Sequence, residues 1–134
     1  YLTWAHHHFE INGLNPKHYQ FIRANVLEWL TENPEPQFDL IILDPPTFSN
    51  TKSTEQTLDI QRDHSALIDV CLQWLAPNGL MYFSNNFKGF TLDESVSERC
   101  IVKDLTLASI DLDFDRRAPH FLFKISPKTD NESV

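Results

Sequence analysis

The sequence predicts an α/β fold built on an open sheet with helices packed against it. Two observations carry this. Leu40-Ile41-Ile42-Leu43 is fully apolar, too short for a helix, and has the branched side chains of a strand buried on both faces of a parallel sheet. Further on, His64, Leu67, Ile68, Cys71, Leu72 and Leu75 fall on one stripe of a helix, and Leu80 to Ser84 resumes a buried strand.

Between Tyr1 and Asn12, Leu2, Ala5 and Phe9 share a helical face, with Trp4, His8 and Ile11 beside them, and Asn12-Gly13 is a stop signal. His6-His7-His8 reads as the polar side of that helix rather than a metal cluster or a tag remnant. Successive helical positions diverge by about 100°, so three neighbours cannot converge on one ion. Tyr19 to Ala24 reads as a short strand, and Asn25 caps a helix that opens Val26-Leu27-Glu28 and ends within Asn33 to Pro36. A polar loop spans Ser49 to Thr57. The long helix begins at Arg62-Asp63-His64, with Asp63 as its cap, and Pro77-Asn78-Gly79 ends it. Thr91 to Arg99 is weakly helical. Strands are expected over Leu105 to Leu112 and Phe121 to Ile125, with Asp113 to Pro119 as the turn between them. Residues 126–134 form a polar tail that frays, leaving 1–125 as the folded part.

Composition bounds the function. The 134 residues leave room for one domain with a modest core. No apolar stretch approaches the roughly 20 residues of a membrane span, and no signal peptide is visible, so a cytoplasmic protein is expected. Cys71 and Cys100 form no disulfide or metal spacing, and Cys71 falls on the apolar helical stripe as a reduced core thiol. No metal site is expected. The formal charge of -8, from 19 acidic against 11 basic residues, opposes RNA binding by this chain unaided, because phosphate contacts need Lys and Arg.

The chemistry concentrates after Leu43. Asp44 stands at the carboxyl end of its strand, the side of an open α/β sheet where ligands bind. Pro45 and Pro46 fix two φ angles and remove two backbone donors, leaving a stiff turn with free carbonyls. Phe48 follows, where a ring could stack on a flat ligand or simply pack over the sheet edge. Asn85 and Asn86 close the next strand at the same end, placed to hydrogen-bond a base or the loop, or to cap a turn.

Three segments in order carry a family resemblance: Asp44-Pro45-Pro46-Thr47-Phe48-Ser49-Asn50, Asp59-Ile60-Gln61-Arg62-Asp63-His64, and Phe83-Ser84-Asn85-Asn86. With them the chain resembles, from Tyr1 to about Ile125, the Rossmann-like, S-adenosylmethionine-dependent guanine methyltransferases of 23S rRNA. The likeness is greatest to the guanine-N7 domain of the two-domain bacterial enzyme that also methylates guanine N2.

The resemblance implies a partial class I methyltransferase fold that lacks its first two strands and ends in an antiparallel hairpin. No Gly-rich loop is present, since the glycines are Gly13, Gly79 and Gly89. The missing elements would precede Tyr1, so the chain by itself is expected to be inactive. The family's first strand would lie between Tyr19–Ala24 and Leu40–Leu43, and its absence leaves strand edges through which the chain could self-associate. Asp44, Pro45, Pro46 and Phe48 are implied as the catalytic, base-holding loop, and Asn25, Val26 and Asp44 as contacts to S-adenosylmethionine. Asn25 stands where relatives usually carry Asp, and helix capping alone would justify it. Phe48, Asn50, Arg62, His64 and Asn85 are implied on the substrate side, although His64 equally fits a satisfied histidine at the core edge. The 23S rRNA would be gripped through other regions of the protein, with neither a membrane nor a metal involved. Cytosine-C5 chemistry is disfavoured, because it needs a cysteine nucleophile near Ser84-Asn85-Asn86 and none is there. A non-catalytic interaction module and an exocyclic-amine methyltransferase remain the alternatives.

Overall fold

The computed structural model describes residues 1–32, 35, 38–49, 58–112, 114 and 119–128. The second helix ends at Thr31, ahead of the stop expected within Asn33 to Pro36, while residues 33, 34, 36 and 37, Asn50 with the rest of the polar loop, most of the Asp113 to Pro119 turn, and the tail from residue 129 lie outside the described residues. The chain forms two compact units, Tyr1–Glu32 and Asn33–Val134.

In the first unit, helix α1 (Leu2–Ile11) stops as the sequence predicts. Gly13 takes φ +71°, and its N–H and that of Leu14 turn back onto the carbonyls of Glu10 and Phe9, satisfying the last turn of the helix. Phe9 meets Tyr19 and Phe21 edge-on, with ring centroids 4.6 and 5.1 Å away. Helix α2 (Val26–Thr31) carries the expected cap, the Asn25 carbonyl oxygen accepting from the Leu27 N–H at 3.2 Å. Tyr19 to Ala24 is not a strand. Tyr19 has extended dihedrals, but the segment joins no ladder among the described residues, and a strand exists only through its partner's N–H and C=O groups.

The second unit is a sheet in the order β1-β4-β6-β5, formed by β1 (Phe38–Leu43), β4 (Leu75–Asn85), β6 (Phe121–Pro127) and β5 (Cys100–Asp104). β1 and β4 are parallel, and β6 runs antiparallel to both β4 and β5, the terminal hairpin that the resemblance implied. Two short strands, β2 (Phe48–Ser49) and β3 (Leu58–Asp59), pair antiparallel beside the main sheet. Helix α3 (Ile60–Leu72) supplies Ile60, Leu67, Ile68 and Cys71 to the core, and Met81, Phe83, Phe123 and Ile125 of the sheet join them. The short helix α4 (Glu94–Arg99) adds Val96.

Three expectations need correction here. β1 is not buried on both faces: Leu40 is 51% and Ile42 72% exposed, because β1 is the sheet's edge and one of its faces is open. The long helix ends at Leu72, not at Pro77-Asn78-Gly79, so Leu75 leaves the helical stripe and opens β4. Trp74 makes the junction. Its N–H closes the last helical turn on the Cys71 carbonyl, while its own carbonyl accepts from the Phe38 N–H and starts the sheet. Finally, the strand expected over Leu105 to Leu112 is replaced by β5 at Cys100–Asp104, followed by a 3-10 turn at Leu107–Ser109. Alternating apolar residues read as a strand there, yet the Asp104 carboxylate accepts from the Thr106 N–H at 2.8 Å and turns the chain away from the ladder.

Pro77-Asn78-Gly79 instead forms a bulge inside β4. The register jumps from Phe38 opposite Leu75 to Leu40 opposite Leu80, and Asn78 enters the left-handed region at φ 66°. A Cβ on Gly79 would stand 2.9 Å from both the Ala76 and Phe38 carbonyl oxygens, which are backbone atoms that cannot swing aside. Among the described residues no helix is long and apolar enough to cross a membrane, and no group of three His, Cys, Asp or Glu could hold a metal ion.

Gly79→Ala should therefore destabilise the fold by about 1–3 kcal/mol through overpacking, read as a lower denaturant midpoint. An unchanged midpoint would show that the bulge is not fixed against Phe38.

Candidate active site at the carboxyl end of the sheet

The pairing of Leu43 with Phe83 brings two loops together, because the residues after each leave the sheet at the same end. Asp44 follows Leu43 and Ser84 follows Phe83. The Ser84 hydroxyl donates to Asp44 Oδ1 at 2.7 Å. Three residues beyond Asp44 and two beyond Ser84, the Thr47 hydroxyl donates to Asn86 Oδ1, also at 2.7 Å. Phe48 then meets Phe87 edge-on, with centroids 5.9 Å apart, while keeping 56% of its surface exposed. The segment 44–48 is thus tied to 84–87 at three successive points, and the proline N–H groups that it lacks are not needed for any of them.

The second motif fastens these loops from below. Asp59, not Asp63, caps α3, its Oδ1 accepting from the Gln61 and Arg62 N–H groups at 3.0 and 3.2 Å. Asp63 lies one turn in and accepts the Asp59 N–H at 2.9 Å, so the two acids cap reciprocally. The backbone of Asp59 pairs with Phe48, and the Ile60 N–H donates to the Thr47 carbonyl at 3.2 Å. On the other side the Gln61 amide pairs both ways with the Thr91 backbone, at 2.9 and 3.0 Å. Helix α3 therefore grips both loops with its first turn.

His64 completes the grip and belongs to the core. It is 1% exposed. Its Nδ1 lies 2.9 Å from the Ile60 carbonyl and 3.0 Å from that of Gln61, which makes it the protonated nitrogen, and its Nε2 accepts the Asp93 N–H at 2.9 Å. Both nitrogens are committed, so the expectation of His64 as a substrate contact is corrected to the core-edge alternative. Asn85 is likewise buried, at 2%, and its Oδ1 accepts the Phe87 N–H at 3.1 Å as a turn cap. Its Nδ2 has no partner among the described residues. Arg62 is exposed and grips the Asp63 carboxylate with two nitrogens, at 2.6 and 2.7 Å. That bond raises the Arg62 pKa and holds the Asp63 carboxyl below its ordinary range.

Of the residues predicted for the site, Asp44, Pro45, Pro46 and Phe48 lie together, while Asn50 is outside the described residues. Asn25 and Val26 belong to the first unit, where Asn25 acts as a helix cap. Asn86 takes the loop-bonding role. Sequence reasoning missed Ser84, Phe87, Gln61 and Asp59 as structural partners. The signal for the first two was available, since aligned carboxyl ends of parallel strands bring the following residues side by side. Neither cysteine reaches the site: both are buried, and burial pushes the Cys71 thiol up to about 11.

No family model matches the chain. The ribosomal RNA large subunit methyltransferase K/L of Psychrobacter arcticus is 48% identical over 128 residues, 93% of this chain and 16% of that protein. The corresponding K/L protein of Dichelobacter nodosus is 46% identical over 133 residues, 98% of this chain and 18% of the relative. Ribosomal RNA large subunit methyltransferase K of Neisseria meningitidis serogroup B is 43% identical over 131 residues, covering 96% and 37%. The chain is homologous to a segment of these methyltransferases. The resemblance carried by the three motifs holds, and the chain spans about one sixth of the length of the first two K/L relatives. Among solved structures, SMU.776, a protein named as a methyltransferase and complexed with SAH, superimposes with a TM-score of 0.64 at 22% identity. That match covers 88% of this chain and 34% of the other, and it supports a Rossmann-like fold.

The Arg62–Asp63 bond gives a pH prediction. The Asp63 carboxyl is lowered on folding, so it adds stability above its unfolded-state pKa, near 4, and that contribution is lost as pH falls through the folded value. Acid titration of stability should fall below about pH 4, and Asp63→Asn should flatten the fall; an equally steep fall in the variant would contradict the pairing.

Proposed function

We propose that this chain is the substrate side of an S-adenosylmethionine-dependent methyltransferase that acts on a guanine of 23S rRNA at N7. The observation that carries the reading is the joint placement of an anchored carboxylate, Asp44, and a half-exposed ring, Phe48, at the carboxyl end of a parallel strand pair. The names of the K/L and K relatives support ribosomal RNA as the substrate. With a charge of -8, the chain leaves most of the phosphate contacts to other regions of the protein. A cytoplasmic location follows from that substrate.

The cofactor supplies an electrophilic methyl group. The chain's own residues hold the base. Phe48 stacks on its face, a contact worth roughly 1–3 kcal/mol. Asp44 accepts hydrogen bonds from its ring edge, and the stiff Pro45-Pro46 turn keeps the two at a fixed separation. Guanine N7 bears no hydrogen, so no residue has to accept a proton, and alignment of the nitrogen is the whole task. Toward the cofactor, Asn25 fits the adenine amino group, because its carbonyl oxygen keeps a second lone pair beside the one used for capping. The residues do not fit the methionine end, since the glycines at 13, 79 and 89 make no Gly-x-Gly turn.

Nucleoside mass spectrometry of 23S rRNA from a deletion strain tests the reading. N7-methylguanosine should be depleted, restored by the native gene and not by the Asp44→Ala gene. Undiminished N7-methylguanosine in the deletion strain would contradict the substrate, and rescue by Asp44→Ala would contradict the role of the carboxylate.

A further inference from the structure

The two oxygens of Asp44 are not equivalent. Oδ1 accepts from the Ser84 hydroxyl at 2.7 Å, while Oδ2 has no partner among the described residues. An unanchored aspartate at a strand end samples a broad χ2, whereas a hydroxyl bonded to a carboxylate at this length is a strong, charge-assisted contact. The strand register explains why Ser84 is the anchor. Leu43 and Phe83 are paired and buried, so Asp44 and Ser84, one residue on, share the opposite face of adjacent strands. The neighbouring bond from Thr47 to Asn86 fixes the course of the loop and not the carboxylate.

We propose that Ser84 is a positioning residue for methyl transfer: its hydroxyl fixes the Asp44 carboxylate so that Oδ2 alone accepts from the target base. This deepens the function proposed above and rests on it for the role of Asp44. Ser84 does not touch the base and acts only through Asp44. Without the hydroxyl the carboxylate turns, and the bound base adopts several orientations, of which few align the nitrogen. Stacking on Phe48 is untouched, so binding survives while turnover falls.

Steady-state kinetics of the native protein on its rRNA tests this. Ser84→Ala should lower kcat on the order of 10- to 100-fold with KM within about twofold. Ser84→Cys, close in size but a weak donor, should show the same loss, which separates the missing hydrogen bond from a packing defect. Ser84→Thr keeps the hydroxyl and should restore most of kcat. In an Asp44→Ala background, Ser84→Ala should cost nothing more. Wild-type kcat in Ser84→Ala or Ser84→Cys, or additive losses in the double variant, would overturn the role of Ser84. Wild-type kcat in Asp44→Ala would instead overturn the reading of Asp44 itself, so the two failures are distinct.

Discussion

The site depends on one constraint: the Asp44–Phe48 loop is held by its neighbours and not by itself. Two prolines remove two of its backbone donors, so the usual turn hydrogen bonds are partly closed to it. What holds it is the carboxyl end of β4, through Ser84, Asn86 and Phe87, together with the first turn of α3. A loop of this kind is stiff because of its composition and correctly placed because of its surroundings. Stiffness without placement would present the carboxylate and the ring in the wrong relation.

Helix α3 is where folding and function meet. Its stripe of Ile60, Leu67, Ile68 and Cys71 buries against the sheet, and that burial sets the height of its first turn. The polar groups of that turn then reach in two directions, to Thr47 on one side and to Thr91 and Asp93 on the other. His64 shows the logic. It lies 6.2 Å from Phe83 and 4.8 Å from Phe90, centroid to centroid, so it packs as an aromatic while its Nδ1 bonds the first turn of α3 and its Nε2 ties that turn to the loop before α4.

Much of this was legible in the sequence, and the exceptions have physical causes. The strand before Asp44, the amphipathic helix and the parallel crossover follow from periodicity, because each is set by which side chains the core must receive, whereas the terminal hairpin came from the family resemblance and its first strand was misplaced by the alternation over Leu105 to Leu112. Tyr19 to Ala24 has the composition of a strand and is not one, since pairing is a property of two segments and the sequence shows only one. The exposure of Ile42 has the same origin: apolar character marks a surface fit for burial without saying what covers it. Asp63 was the expected cap because it stands just before His64, where the visible stripe begins, yet Asp59 caps, since the helix starts as soon as Asp59 leaves its ladder with Phe48. The three motifs were visible as separate words. That they form one bracket depends on hydrogen bonds between residues 30 and more positions apart, which no local pattern records.

The three segments behave as a single unit presenting Asp44 and Phe48. Native-state hydrogen exchange of the amides of Ile60, Phe87, Thr91 and Asp93 measures it most directly, because each donates to a different part of the bracket. One shared opening free energy is expected for all four, lowered together when Thr47→Val cuts the bond to Asn86. Independent opening energies, with only Ile60 responding to that substitution, would contradict it.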